Sequence, residues 1–411
     1  MRILHTSDWH LGHTLHDLPR DYEHQAFLDW LLGVLEERQV DALLVAGDVF
    51  DTANPSAAAH AQWYRFLAQA KRVLPALDVV VIGGNHDSAD RLDAPQPLLT
   101  HGLEVTVVGG LPRAAGRAVE VDRLVVPLRD ATGAVAAWVA AVPFLRPADL
   151  RAPEGDLVAG VRAVYDEVLA AVRARRQPGQ AIVAMGHCYM VKSEVSELSE
   201  RRILGGNQHA LPLDLFPDDV AYVALGHLHK PQRLGSDRVR YSGSPLPLSM
   251  GERTYQHQVS LVELSGEALV SVESLLVPRV VELVRVPRQG ALPPDELLAE
   301  LRKLPPRGDL RDCELPFLEV EALLAEPDPG LPARVEAALE GRAARLVRLG
   351  RTRTGSGGTL AEQAPAQMLD ALTPDQVFAD CYERAFAAPP PDDLVAAFHE
   401  LLDAVHQEKN A

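Results

Sequence analysis

The chain has 411 residues, 47% of them hydrophobic and 24% charged, with a formal net charge of −17. That balance belongs to a soluble globular protein larger than one ordinary domain, and its longest apolar run is far too short for a membrane span. Three isolated cysteines (Cys188, Cys313, Cys381) offer no disulfide framework, and Met1-Arg2-Ile3-Leu4-His5 opens into a strand with no signal-peptide pattern, so a reducing cytoplasmic setting is expected.

In chain order, Arg2-Ile3-Leu4 predicts a buried strand that runs into Asp8-Trp9-His10. Residues 21–38 carry Phe27, Leu28, Leu31, Leu32 and Leu35 at helical spacing. Ala42-Leu43-Leu44-Val45 is a second strand, closed by Gly47-Asp48 with Asp51 close behind. A helix over 56–72 holds Trp63, Tyr64, Phe66 and Leu67, and the strand Val79-Val80-Val81-Ile82 then ends in Gly84-Asn85-His86-Asp87. A third helix, 157–175, precedes Ala181-Ile182-Val183-Ala184 and Gly186-His187. Strands dominate from 181 to 277 (181–185, 220–225, 238–242, 257–264 and 268–277), and Tyr222-Val223-Ala224-Leu225 delivers Gly226-His227-Leu228-His229. Segment 188–217, with Gly205-Gly206 and two prolines, predicts a loop beside these motifs.

Five aliphatic runs thus end in five polar motifs, and the carboxyl ends of strands are where open α/β sheets hold ligands. Together they bring Asp8, His10, Asp48, Asn85, His187, His227 and His229 to one rim, enough for two metal ions. Imidazoles, carboxylates and one amide oxygen suit Mn, Fe or Zn. One carboxylate can bridge a pair of ions, and such a pair clamps the attacking and leaving oxygens of a displacement at phosphorus. The glycines at 47, 84, 186 and 226 fit sharp strand-to-loop turns where a Cβ would obstruct the approach to the ions. Taken singly, each motif has a plainer reading: Gly-His is a packed histidine, and Gly-Asn-His-Asp a self-capping β-turn. Five in series, each after a strand, outweigh that reading.

The set resembles the calcineurin-like metallophosphoesterase superfamily and, within it, the SbcD family of nuclease subunits. The closer resemblance rests on His5-Thr6-Ser7-Asp8-Trp9-His10-Leu11-Gly12, Gly47-Asp48-Val49-Phe50-Asp51, Ala224-Leu225-Gly226-His227-Leu228-His229-Lys230 and the run Tyr241–Ser249. It implies a layered α/β sandwich with a small α+β cap domain and a C-terminal helix pair. It also implies that Asp8, His10, Asp48 and His229 hold one ion, and that Asp48, Asn85, His187 and His227 hold the other. His86 would protonate the leaving oxygen, with Asp51 pairing to it and raising its pKa; otherwise Asp51 is a turn-capping aspartate. The divalent ions would be Mn²⁺, with Mg²⁺ as the alternative. The implied activity is a DNA exonuclease on duplex ends and endonuclease on single strands and hairpins, serving double-strand-break repair and recombination. A small-molecule phosphodiesterase or phosphomonoesterase on the same core is the alternative. An inactive scaffold is disfavoured by the complete ligand set.

The charge of −17 sits awkwardly with duplex binding, which draws on basic surface. Arg20, Arg91, Lys192, Arg201, Arg202 and Lys230 are candidate DNA contacts, and a solvated face accounts for each equally well. The expected organisation is a nuclease domain over 1–278, a DNA-specificity cap over 279–351, a flexible linker over 352–366 and a helical docking segment over 367–411. Within the cap the pattern predicts strands Val280–Val286, Phe317–Leu323 and Ala344–Arg351, with helices Glu296–Leu304 and Pro332–Leu339. In the last segment, Thr373-Pro374-Asp375-Gln376 is a helix start, and Phe378, Tyr382, Phe398 and Leu402 lie on the apolar faces of two short helices. Such faces either fold back on the core or, as the resemblance implies, dock on the coiled coil of an SbcC-like ATPase. The resemblance further implies a homodimer within a heterotetramer, paired through exposed apolar residues of 56–72 and 91–100, among them Trp63, Leu67, Leu98 and Leu99.

Overall fold

The structure, a computed structural model, describes residues 1–353 apart from 115–117, 151–155, 192 and 195–209, and beyond them Phe378, Tyr382, Pro391, Leu394, Val395 and Phe398. The chain divides into a unit Met1–Thr352 and a unit Arg353–Ala411.

Two six-stranded sheets form the larger unit. The first runs in the order Ala268–Leu276, Gln258–Ser265, Arg2–Thr6, Ala42–Ala46, Asp78–Ile82 and Val105–Val108. Its last four strands are parallel, in a register that aligns Leu4, Leu43, Val79 and Val105 in one row. The second runs Gln232–Leu234, Ser236–Tyr241, Tyr222–Gly226, Ala181–His187, Val135–Ala141 and Val125–Arg129, parallel through its middle four. The strands at 105–108, 125–129 and 135–141 have no counterpart in the sequence reading; they are short and sit among loops.

Successive residues of a strand face opposite ways, so a strand buried on both sides is apolar throughout. Ile3, Leu44, Ala46, Val80 and Ile82 pack toward Val183, Ala184 and Leu225 of the second sheet. Leu4, Leu43, Val45, Val79 and Val81 pack under helices Asp21–Glu37 and Ala57–Val73. Helix Leu157–Arg175 covers the far side of the second sheet with Val161, Val164, Val168 and Val172. The sandwich therefore has four layers. Ser56 opens the second helix by accepting from the Ala59 N–H at 3.1 Å, a side-chain cap on an otherwise unpaired donor.

Trp9 packs edge-on against Phe27, Trp63 and Phe66, with ring centroids 5.4, 5.5 and 5.4 Å away. This corrects one expectation. Trp63, Leu67 and Leu99 are buried core residues, and of the four named only Leu98, 77% exposed, faces out as a pairing surface would require.

Residues 283–353 form a three-stranded sheet, in the order Leu283–Val286, Phe317–Leu324 and Arg345–Arg353, with helices Pro294–Leu301 and Leu331–Leu339. It has an apolar core of its own, including Leu297, Leu301, Val320 and Val335. A separate cluster joins it to the sandwich: Leu15 and Met250 against Val281, Leu283 and Phe317. In the smaller unit the rings of Phe378 and Phe398 stack at 4.2 Å, nearly parallel, with Tyr382 at 6.5 Å from Phe378. Leu402 and the linker 354–366 lie outside the described residues. Among the described residues no helix is long and apolar enough to cross a membrane.

Candidate metal centre

Parallel strands put their carboxyl ends on the same side. Asp8 follows Arg2–Thr6, Asp48 follows Ala42–Ala46, and Asn85 and His86 follow Asp78–Ile82. From the other sheet come His187, which ends Ala181–His187, and His227 and His229 just past Tyr222–Gly226. All seven expected ligands meet at the rim where the two sheets adjoin. The turns that bring them there are strained. Asp8, His10, Asp48 and His227 themselves adopt left-handed backbone, with φ of 54°, 47°, 49° and 103°. Each such residue costs on the order of 1–3 kcal/mol and persists only where its surroundings over-determine it. Here the Asp8 N–H donates to Gly47 O at 3.0 Å, the His10 N–H to Asp48 O at 3.1 Å, and the His227 N–H to Asp8 Oδ1 at 2.9 Å. Gly47 has φ of 91°, and a Cβ there would run into the His187 ring; one on Gly84 would strike the Asp48 carboxylate.

The histidines are oriented from behind. His187 Nδ1 donates to the Ala46 carbonyl at 2.9 Å, which turns Nε2 toward Asn85 Oδ1 at 2.9 Å and Asp48 Oδ2 at 3.3 Å. His227 Nδ1 lies 2.9 Å from the same Asn85 oxygen. His10 Nδ1 is held by Asp51 Oδ1 at 3.1 Å, and its buried Nε2 has no hydrogen-bond partner among the described residues while facing Asp48 Oδ2 at 3.6 Å. His229 Nδ1 bonds Glu252 Oε1 at 3.0 Å. Ligand atoms of Asp8, His10 and His229 lie within 4.8 Å of one another, as do those of Asp8, Asp48 and His187.

An orphaned buried imidazole nitrogen beside a carboxylate is costly unless a cation completes it. The donor set, nitrogen and oxygen without sulfur, fits a divalent transition metal. The electrostatics agree. Burial opposes charging of His187, yet the Asp48 and Asp8 carboxylates lift its pKa to about 9, as a cation in their midst would be favoured. Burial would raise Asp48, but His187, His10 and His86 hold it well below the carboxylate range. His227 is pushed down to about 3, by burial first and His187 second, so it is neutral and its lone pair is available.

Two expected roles change. The Asp51 carboxylate pairs with His10, not His86; His86 Nδ1 instead donates to the Asp51 backbone carbonyl at 2.8 Å. Nor is the His86 pKa raised: burial lowers it, and Asp48 and Asp51 offset this only in part. Arg20 is not a surface residue. Its guanidinium is buried, bonded to Glu23 and the Pro247 carbonyl, and lies over the Phe317 ring at 5.6 Å. It joins the sandwich to the small sheet and has no face to offer DNA. Lys230 is half-buried, paired to Glu194 and 5.9 Å from the Tyr255 ring centre. Arg91 is exposed on the short helix Ala89–Asp93, while Lys192, Arg201 and Arg202 lie outside the described residues. The sequence reading missed Glu252, and saw Asp87 only as part of a turn. Asp87 accepts from the N–H groups of Val49, Phe50 and Gly84 at 3.2, 3.0 and 2.9 Å, tying two ligand loops together. Burial and Asp48 push its pKa up to about 6.

Residues 1–231 match the calcineurin-like phosphoesterase family, and residues 279–386 match a type 5 capsule protein repressor C-terminal domain. Among curated proteins, a Rhodobacter capsulatus chain named as the SbcD component of the SbcCD nuclease is 44% identical over 391 residues, covering 93% of this chain and 94% of that one. The Escherichia coli K12 protein of the same name is 34% identical, with 92% of each chain covered. The chain belongs to the SbcD family. A third member, from Bacillus subtilis, is 36% identical over 67% of this chain and 70% of its own. As an SbcD-family protein with a phosphoesterase domain, the chain is a metal-dependent nuclease, a phosphodiester hydrolase, and the His/Asp cluster is its divalent-metal site.

Proposed function

We propose that this SbcD-family chain is a two-metal DNA nuclease that trims duplex ends and opens single strands and hairpins, in double-strand-break repair and recombination. The observation that carries the reading is the convergence of seven donors from two sheets on one rim, with the buried His10 Nε2 orphaned among them. Asp8, His10, Asp48 and His229 would hold one ion, and Asp48, Asn85, His187 and His227 the other. The ions, when bound, make hydroxide available near neutral pH and neutralise charge gathering on the phosphate. His86 lies beside this set, its ring 4.7 Å from that of His10. Because its Nδ1–H is given to the Asp51 carbonyl, Nε2 is the atom left to pass a proton to the leaving oxygen. Manganese suits a set rich in imidazole better than magnesium, which prefers oxygen ligands.

The printed name of the relatives denotes one component of a two-part nuclease, and this supports a second protein here: an SbcC-like coiled-coil ATPase bound by the C-terminal helices through Phe378, Tyr382, Phe398 and Leu402. A homodimer of nuclease subunits, with Leu98 at the pairing surface, completes the proposed assembly. Arg91, Lys192 and Lys230 remain candidate DNA contacts. Purified chain with manganese and then magnesium, on linear duplex, hairpin and circular single-stranded DNA, with and without the ATPase and ATP, tests the proposal. Manganese-dependent cleavage of the single-stranded substrates supports it. Hydrolysis of small phosphoesters with all DNA left intact overturns it in favour of a small-molecule phosphodiesterase.

A further inference from the structure

Glu252 lies on a short 3-10 turn, Met250–Thr254, and is fully buried. A carboxylate removed from water is tolerated only where its oxygens find donors. Oε1 faces His229 Nδ1 at 3.0 Å, and Oε2 accepts from the Leu248 N–H at 2.7 Å. The turn is itself anchored. Its Ser249 carbonyl accepts from the Glu252 N–H at 3.1 Å, Arg279 donates to the Arg253 carbonyl at 2.7 Å, and Met250 packs with Leu15, Val281, Leu283 and Phe317.

We propose that Glu252 is a positioning residue for the metal centre: it keeps the proton of neutral His229 on Nδ1 and so presents Nε2 as the ligand atom. The inference rests on the reading of His229 as a ligand. Carboxylates behind metal-binding histidines fix tautomer and ring orientation and raise the basicity of the ligating nitrogen. Of the histidines in the cluster, His10 takes the same support from Asp51, whereas His187 takes a backbone carbonyl. Asp51 is partly exposed and Glu252 is not, so loss of Glu252 leaves His229 Nδ1 without water to replace the carboxylate.

Manganese titrated into the metal-free full chain, followed by calorimetry, tests this without reference to turnover. Glu252→Ala is expected to weaken one of two ions about 10–100-fold. Glu252→Gln, whose amide oxygen can still accept from Nδ1–H, is expected to recover part of that loss. Met250→Ala loosens the same turn without touching His229, and is expected to lower the melting temperature while leaving the isotherm near wild type. A wild-type isotherm for both Glu252 variants overturns the proposal, and so does a loss in Met250→Ala as large as that in Glu252→Ala. His229→Ala separates the two layers of the argument. If it too binds manganese as wild type does, His229 is not a ligand and the metal assignment itself fails; if it loses an ion while the Glu252 variants lose nothing, only the positioning role fails. Should Glu252→Ala not fold, Glu252→Gln carries the test: affinity equal to wild type overturns the role.

Discussion

At the scale of single residues, the site divides into groups that hold and a group that acts. Asp48 touches both halves of the cluster, through His10 and His187, so it is the candidate bridge. Asp48→Asn is expected to lose at least one manganese ion and all cleavage; full nuclease activity in that variant, or in the metal-stripped enzyme, would end the assignment. His86→Ala, by contrast, is expected to keep both ions and DNA affinity and to slow cleavage by about 10²–10⁴-fold. Metal loss in that variant would make His86 a ligand. Away from the site, His5 sets an acid limit on stability. Its Nε2–H donates to the Leu225 carbonyl at 3.1 Å and Nδ1 accepts from the Tyr222 hydroxyl at 2.9 Å. Burial lowers its pKa from 6.5 to about 3. The unfolded chain therefore takes up the proton first, so stability is full above pH 6.5 and is lost as pH falls toward 3. By about pH 5 the loss from this residue is ~2 kcal/mol. The fall in melting temperature between about pH 7 and pH 5 should be visibly shallower in His5→Gln.

At the scale of elements, helical periodicity identified Asp21–Glu37, Ala57–Val73 and Leu157–Arg175 to within a residue or so, because each presents an apolar stripe to one sheet. Periodicity does not say which neighbour covers the stripe. Trp63 and Leu67 read equally well as a pairing face, and the answer came from Trp9, which reaches across from a ligand loop to fill the space beneath them. Trp63→Ala should cost about 3–5 kcal/mol, seen as a lowered denaturation midpoint without any change of oligomeric state. A Leu98→Glu substitution is the proper probe of pairing, and light scattering over a range of concentrations should show a dimer in the wild type and a monomer in the variant. In the C-terminal helices the Phe378–Phe398 stack means that a charge at either position strikes the pair itself. Phe378→Glu and Phe398→Glu are each expected to abolish capture by the coiled-coil ATPase while sparing metal-dependent cleavage of single strands. Full co-purification of either variant would move the docking surface onto the sandwich.

At the scale of the whole molecule, the acidic balance and the need for basic surface on DNA meet in the division of labour proposed for the assembly. A net charge of −17 leaves little phosphate-neutralising surface on this chain alone, so duplex ends should depend on the partner more than single strands do. Deletion after residue 366 is therefore expected to leave manganese-dependent cleavage of circular single strands intact and to remove ATP-dependent cleavage of duplex ends. Equal loss of both activities would tie the tail to catalysis rather than to docking.

The ligand types, their order and the strands that deliver them were legible in the chain itself, because a buried parallel strand is an unbroken apolar run and its ligands follow it within a few residues. The small sheet and its two helices were legible for the same reason: local periodicity reports burial. What the tertiary structure decided are the partnerships that span the chain. Asp51 goes to His10 rather than His86, Arg20 turns inward onto Pro247 and Phe317, and Glu252 stands behind His229 from 23 residues away. None of these leaves a local pattern. Which of two nearby imidazoles a carboxylate chooses, or whether an arginine faces water or an aromatic ring, is set by how loops from different strands cross at the rim, and that crossing exists only once the two sheets have packed.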